Sequence, residues 1–264
     1  MNLGKLAVNI AGEQMVSDLS ILPNKSADKC VNILYEDADI LVCVKPAGVA
    51  SETKKAGQQD MVSLLRNYRH NKGEEIYIGL VHRLDQPVEG ILVFGKHQQS
   101  TAVLSRQLAR DSFLKGYLAV TEGAMSSTES KLQHYLKKDG RSNTSYVVSE
   151  TAAQAKKAEL SYQVLATDRN KDPVQNLVRI QLLTGRHHQI RVQMAQIGAP
   201  LAGDRKYGRK IDDFAGGLGL CAYELEFVHP LKNKKMNFRI VPSQPVFRKF
   251  EAQFREIKSC TKMM

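Results

Sequence analysis

Two runs of this chain carry side chains that could do chemistry together. In Gly79-Leu80-Val81-His82-Arg83-Leu84-Asp85 a carboxylate closes an apolar run, two residues after an arginine. Much later comes Thr184-Gly185-Arg186-His187-His188-Gln189-Ile190-Arg191. In an extended segment, residues two apart face the same side, which would put Arg83 and Asp85 on one face. Burial alone raises a carboxyl's pKa and silences it as a nucleophile, whereas a nearby guanidinium keeps it ionised. Arg186 follows a glycine at an expected strand-to-helix switch, where free backbone amides favour anions. An arginine there can grip a carboxylate or phosphate through two parallel hydrogen bonds. His188 and Arg191, three apart, share one face of the helix that should follow. The chemistry suggested is that of an ionised carboxylate acting on a polyanion. Taken singly, each run also has a plainer reading: a surface Arg/Asp pair closing a turn, and a helix start with solvated bases.

Other candidates are weaker. Tyr117 lies in an alternating run in which Leu114, Leu118 and Val120 share one face and Phe113, Lys115, Tyr117 and Ala119 the other. It reads either as a half-exposed core tyrosine or as a ring stacked on a flipped base, with a hydroxyl for proton transfer. Lys45-Pro46-Ala47-Gly48 reads as a tight turn before it reads as a phosphate contact. Gly217-Leu218-Gly219 lacks the rest of a dinucleotide fingerprint. The adjacent His187 and His188 have no third ligand at a recognised spacing, so no metal site is expected. Cys30, Cys43, Cys221 and Cys260 form no C-x-x-C pair and fit a reducing compartment.

These residues need elements to position them. Val31–Tyr35 and Ile40–Val44 read as a hairpin around Glu36-Asp37-Ala38-Asp39. Ser51–Asp60 reads as a polar loop and Val62–Tyr68 as a short helix. Strands are expected at Ile76–Leu84, Gly90–Gly95 and Phe113–Thr121, with a helix over His97–Asp111 that places Leu104 and Leu108 on one face. Further strands are expected at Leu132–Leu136, Thr144–Val148, Glu159–Leu165 and Leu177–Leu183, the last half-buried. A helix should run over His187–Ile197, and a late strand pair over Leu220–Phe227 and Met236–Val241. Phe247, Phe250, Phe254 and Ile257 recur at helical spacing, which predicts a tail docked on the core. Strands outnumber helices, so a largely antiparallel α+β domain is expected rather than a doubly wound one.

The chain has 264 residues, 42% hydrophobic and 25% charged, enough to bury a core. Lys plus Arg is 38 against 27 Asp plus Glu, a net charge of +11. That balance favours a polyanionic partner such as nucleic acid. No apolar run reaches the roughly 18 residues of a membrane helix, and no signal peptide is evident. A cytoplasmic monomer with no membrane partner is expected. Residues 1–29, with Pro23-Asn24-Lys25-Ser26, read as an irregular arm.

The chain resembles the RluA-type family of RNA pseudouridine synthases. The matching residues, in order, are Val44-Lys45-Pro46-Ala47-Gly48, Val81-His82-Arg83-Leu84-Asp85, Lys115-Gly116-Tyr117-Leu118-Ala119-Val120 and Leu183 through Arg191. Ile197-Gly198-Ala199-Pro200, Gly203-Asp204, Lys206-Tyr207-Gly208 and Glu226-Phe227-Val228-His229-Pro230 follow. The resemblance covers residues 31 to 245 and is specific as an ordered set. It implies an α+β fold over residues 30–264: a mixed, mostly antiparallel sheet in two subdomains with a central active-site cleft. It implies isomerisation of uridine to pseudouridine in structured rRNA or tRNA, without metal or organic cofactor. Asp85 matches the catalytic aspartate and Arg83 the arginine that fills the gap left by the flipped base. Tyr117 matches the active-site tyrosine against uracil, and Arg186 the basic residue that pairs with the aspartate.

The chain departs from the family pattern in places. Gln86-Pro87-Val88-Glu89 replaces the usual polar run with hydroxyls after the aspartate. His187 stands where Thr or Ser is common, and Gln193 where His is common. A non-catalytic RNA-binding protein or chaperone on the same fold is the alternative that these departures support. A base-excising glycosidase is a third reading; it would need a second carboxylate, and Glu89 is the nearest in sequence.

Overall fold

The computed structural model describes residues 31–55, 57–110, 112–208 and 216–254. The expected N-terminal arm, Cys30, Cys260 and Ile257 lie outside the described residues. The hairpin forms as expected from β1 (Asn32–Glu36) and β2 (Ile40–Lys45). Its turn is held by the Asp37 carboxylate, which accepts hydrogen bonds from the Asp39 and Ile40 amides at 2.9 Å. Helix α1 (Met61–Asn71) starts at Asp60 with a reciprocal cap: Asp60 accepts from the Ser63 amide, and the Ser63 hydroxyl receives the Asp60 amide. Then come β3 (Gly79–Leu80), β4 (Glu89–Gly95), α2 (Gln98–Ala109) and β5 (Leu114–Glu122). Strands β6 (Glu129–Asp139), β7 (Thr144–Val148), β8 (Lys156–Asp168) and β9 (Gln175–Leu182) lead into α3 (Gln189–Gln196). Strands β10 (Leu220–Val228) and β11 (Lys235–Arg239) follow, then a 3₁₀ turn over Pro245–Phe250.

One sheet runs in the order β1-β2-β4-β10-β5-β9-β8-β6-β7, with β11 on β10 and β3 on β4. Strands β4 and β10 pair in parallel and the other neighbours antiparallel, so the sheet is mixed and mostly antiparallel. The parallel crossing needs a glycine. Gly90 has φ +151°, and a Cβ there would lie 2.4 Å from the Ala222 Cβ.

Strand β5 is buried on both faces. Tyr117 and Ala119 join a core with Leu92, Phe94, Ile190 and Met194. Leu118 and Val120 join a second core with Tyr223, Phe247, Phe250 and Phe254. The second core exists because the tail docks there, as its phenylalanine spacing predicts. Each buried phenylalanine contributes roughly 1.5–3 kcal/mol. Strand β9 keeps the expected alternation, with Val178 and Ile180 buried and Arg179 and Gln181 exposed.

Two expectations need correction. The run Ile76–Leu84 is not one strand; only Gly79–Leu80 pairs. The backbone at Leu84 is claimed by Ser51 instead. The Ser51 hydroxyl accepts from the Leu84 amide and donates to the Leu84 carbonyl, both at 3.0 Å. The helix expected over His187–Ile197 begins at Gln189, because His188 is left-handed at φ 53°.

Candidate active site

Asp85 sits in an irregular loop between β3 and β4. The loop is tied to the segment after β2 rather than to a ladder. The Gly48 amide donates to the Gln86 carbonyl at 2.8 Å, and the Lys45 ammonium donates to the carbonyls of Pro46, Val49 and Gln86. Lys45 is wholly buried, so it fastens two loops together and does not reach a phosphate. Burial pushes its pKa down to about 8, against the opposing pull of Asp85 and Glu89. A turn closed from the Asp85 carbonyl to the Val88 amide, 3.0 Å, contains Pro87. These ties place the Asp85 carboxylate at the surface of the core, its side chain 28% exposed.

The charge that meets Asp85 comes from α3. Arg191 Nη1 lies 3.3 Å from Asp85 Oδ2. The same guanidinium grips Asp204 in bidentate fashion, Nε to Oδ2 at 2.8 Å and Nη2 to Oδ1 at 2.7 Å. Asp204 is fully buried at its side chain, and its Oδ1 also accepts the amides of Lys206 and Tyr207. Arg191 further covers the Tyr207 ring at 5.2 Å. His188 Nε2 approaches the same Asp85 Oδ2 at 3.4 Å. Tyr117, from β5, shares the apolar cluster of Leu84, Val88 and Ile190. Burial, and then the Asp85 charge, push its phenol well above the usual range, so it stays protonated.

The RNA pseudouridylate synthase family model matches residues 39–196 of this chain. The chain belongs to the RNA pseudouridylate synthase family. It is 33% identical over 205 residues to an uncharacterized RNA pseudouridine synthase of Bacillus subtilis, covering 77% of this chain and 66% of that protein. It is 30% identical over 253 residues to the ribosomal large subunit pseudouridine synthase C of Pasteurella multocida, covering 94% and 75%. The chain spans 66% and 65% of the lengths of the Bacillus relative and a Mycoplasma pneumoniae relative. Its fold is similar to that of human RNA pseudouridylate synthase domain containing 1, with a TM-score of 0.69 at 22% identity over 83% of this chain and 86% of that one.

Within this pseudouridylate synthase fold, the sequence candidates separate. Asp85 and Tyr117 come together. Arg186 does not pair with Asp85: it is exposed, and its Nε donates to the Lys157 carbonyl at 2.8 Å. The left-handed turn at His188 leaves Arg186 outside the helix and brings Arg191 to the carboxylate. Arg83 is 68% exposed and pairs with Glu52 at 2.5 Å, away from the Asp85 ion pair. Glu89 is buried and its carboxylate faces the Ser243 amide, at 3.1 and 3.3 Å, so it does not serve Asp85 as a partner acid. Sequence reasoning missed the roles of Arg191, His188, Asp204 and Tyr207. The three-residue spacing of His188 and Arg191 was the available signal.

Among the described residues, Asp37, Asp39 and His229 bring possible metal-ligand atoms within 4.8 Å. The Lys232 ammonium sits 2.6 Å from Asp37 Oδ2, and His229 Nε2 lies 2.8 Å from the same oxygen. His229 Nδ1 receives the Leu231 and Lys232 amides. The group is an ion-pair clasp between two turns, already supplied with cations and donors.

Several neutral histidines make the fold acid-sensitive. Burial lowers His82 from 6.5 to about 4, with Lys115 adding to it, and burial with Arg191 lowers His188 to about 3. Unfolded, both would bind a proton near pH 6.5, while folded they stay neutral to much lower pH. The unfolded state therefore holds more protons below pH 6.5, and stability falls as pH drops from there toward 3. The Asp37 and Asp204 carboxyls, both held low, extend the loss to lower pH. The urea midpoint should decline steadily from pH 7 to pH 5; a flat midpoint over that interval would contradict the burial of neutral His82 and His188.

Proposed function

We propose that this protein isomerises uridine to pseudouridine in RNA, with Asp85 as the reacting carboxylate. The observation that carries the reading is the ion pair of Asp85 with Arg191 at 3.3 Å, across 106 residues of sequence, beside the protonated Tyr117. In this reaction the N-glycosidic bond breaks, the uracil turns, and C5 bonds to C1′, while C5 gives up a proton and N1 takes one up. A C–C glycosidic bond replaces a C–N bond, so the reaction needs no energy source. Its tasks are to extract the nucleotide at a cost of a few kcal/mol, to present an ionised carboxylate and to retain the detached base. Arg191 gives the partly buried Asp85 carboxylate a guanidinium partner at 3.3 Å. Tyr117, uncharged, is suited to pack on the uracil and to assist the closing proton transfer. Arg83, exposed and paired with Glu52, can exchange that carboxylate for RNA and enter the gap behind the extracted base.

The altered turn Gln86-Pro87-Val88-Glu89 is the main support for a non-catalytic RNA-binding role. It leaves Asp85 in its ion pair, so we favour catalysis. The Pasteurella relative is a ribosomal large subunit synthase by name, which makes large-subunit rRNA the first substrate to test and tRNA the second. We read the protein as a cytoplasmic monomer; among the described residues no helix is long and apolar enough to cross a membrane.

Mapping pseudouridines across total RNA with and without this protein tests the proposal. Loss of a site in its absence supports it and names the target; an unchanged map rejects it. The net charge of +11 also predicts RNA affinity that falls steeply between 50 and 200 mM salt, by about 10³-fold if six phosphates are contacted. A flat response in a filter-binding titration would remove the phosphate contacts.

A further inference from the structure

A second nitrogen, His188 Nε2, lies beside the Asp85 carboxylate, and a chain of hydrogen bonds leads up to its ring. The Ser145 amide, in edge strand β7, donates to the Tyr207 hydroxyl oxygen at 2.7 Å. The Tyr207 hydroxyl lies 2.7 Å from His188 Nδ1. With its oxygen already receiving Ser145, the hydroxyl has its own proton to place. Among the described residues, His188 Nδ1 is the acceptor within reach. A neutral imidazole that accepts at Nδ1 carries its proton on Nε2, and Nε2 faces Asp85 Oδ2 at 3.4 Å. The opposite tautomer would set two lone pairs against each other at that contact.

The surroundings keep this ring neutral and still. Its side chain is 6% exposed. His187 stacks on it at 3.8 Å between centroids, and the His187 Nδ1 meets the Ser145 hydroxyl at 2.9 Å. The charges facing it are Arg191 from α3, Lys206 and Asp204 from the following loop, His187 beside it and Asp85 itself. Burial, Arg191, His187 and Lys206 disfavour a proton on the ring, and Asp204 only partly offsets them. Arg191 donates to Asp85 Oδ2, and His188 Nε2 lies 3.4 Å from the same oxygen. The carboxylate is thereby anchored by Oδ2 and can present Oδ1 to substrate.

We propose that His188 is a positioning residue that holds the Asp85 carboxylate through a neutral Nε2–H, its tautomer set by the relay Ser145 to Tyr207 to His188. The proposal rests on the reading of Asp85 as the reacting group. The substitution of His187 for a small hydroxyl residue belongs to the same device, since its ring closes the stack over His188.

Three variants test it: His188→Ala, His188→Gln and Tyr207→Phe, each checked for folding by its thermal midpoint. His188→Ala should lower kcat about thirtyfold with KM for RNA little changed, the worth of one hydrogen bond to a charged group. His188→Gln, which keeps an N–H donor at similar reach, should recover most of that loss. Tyr207→Phe keeps the ring against Arg191 but frees the tautomer, and should lower kcat about tenfold. In His188→Ala and Tyr207→Phe the acid limb of the pH–rate profile should move to higher pH. Independently of any substrate, ¹⁵N NMR should find His188 as the Nε2–H tautomer in the wild type and a mixture in Tyr207→Phe. An Nδ1–H tautomer in the wild type, His188→Gln as slow as His188→Ala, or His188→Ala with wild-type kcat and profile would each overturn the relay. A wild type that forms no pseudouridine overturns the functional reading instead, and the NMR tautomer then decides the relay alone.

Discussion

Asp85→Asn should fold, bind RNA and lose pseudouridine formation by about a thousandfold or more, as expected when a reacting group is removed from a catalytic unit. The substitution is nearly isosteric and its side chain is only partly buried. Arg191 keeps its bidentate pair with Asp204, so α3 and the loop after it should remain in place. What disappears is the negative charge and the nucleophilic or basic oxygen. An amide at this position can still accept from Arg191 and His188 through its oxygen, which preserves the site's shape while removing its chemistry. Binding and turnover should therefore separate, with affinity in a filter assay close to wild type and product absent from a pseudouridine map. Equal activity in the variant would take the reaction away from Asp85. Loss of RNA binding along with activity would assign the carboxylate to recognition.

Arg191→Ala and Arg186→Ala should differ sharply. Arg191 joins the half-buried Asp85 to the fully buried Asp204. Among the described residues, its removal leaves Asp204 with two backbone amides and no paired cation, and breaking a buried pair from one side costs about 3–5 kcal/mol. The carboxylate of Asp85 also loses its guanidinium partner. Urea unfolding should show a large loss of stability, and turnover should be near background even where the variant is folded. Arg191→Lys keeps the charge without the fork and should recover only part of both, because a single ammonium cannot hold Asp204 in bidentate fashion and reach Asp85 as well. Arg186 is exposed and bonded to one carbonyl. Arg186→Ala should change stability by no more than about 0.5 kcal/mol and should affect turnover only through RNA affinity. If Arg186→Ala were inactive and Arg191→Ala were stable and active, the ion pair described here would not operate in solution.

Local signals carried much of the fold. The hairpin of β1 and β2, the span of β7, the alternation of β9 and the docking of Phe247, Phe250 and Phe254 follow from side-chain period and turn chemistry within a few residues. Where the reading failed, a distant group had taken over the backbone. Ser51 occupies the amide and carbonyl of Leu84, so Ile76–Leu84 cannot pair as a strand despite its apolar character. The docked tail covers the Leu118 and Val120 face of β5, so Tyr117 and its neighbours lie in a strand buried on both sides.

By itself the amino-acid sequence determined the family and a largely antiparallel α+β fold, and offered Asp85 as the candidate acid, because ordered short motifs and strand periods are local properties of the chain. Tertiary structure alone decided which cation meets that acid. A single left-handed residue, His188, sets the start of α3 and so selects Arg191 over Arg186. Spacing along a chain specifies which side chains share a helix face. It does not specify the direction in which that helix leaves a turn, and the direction of a guanidinium several ångströms long depends on it.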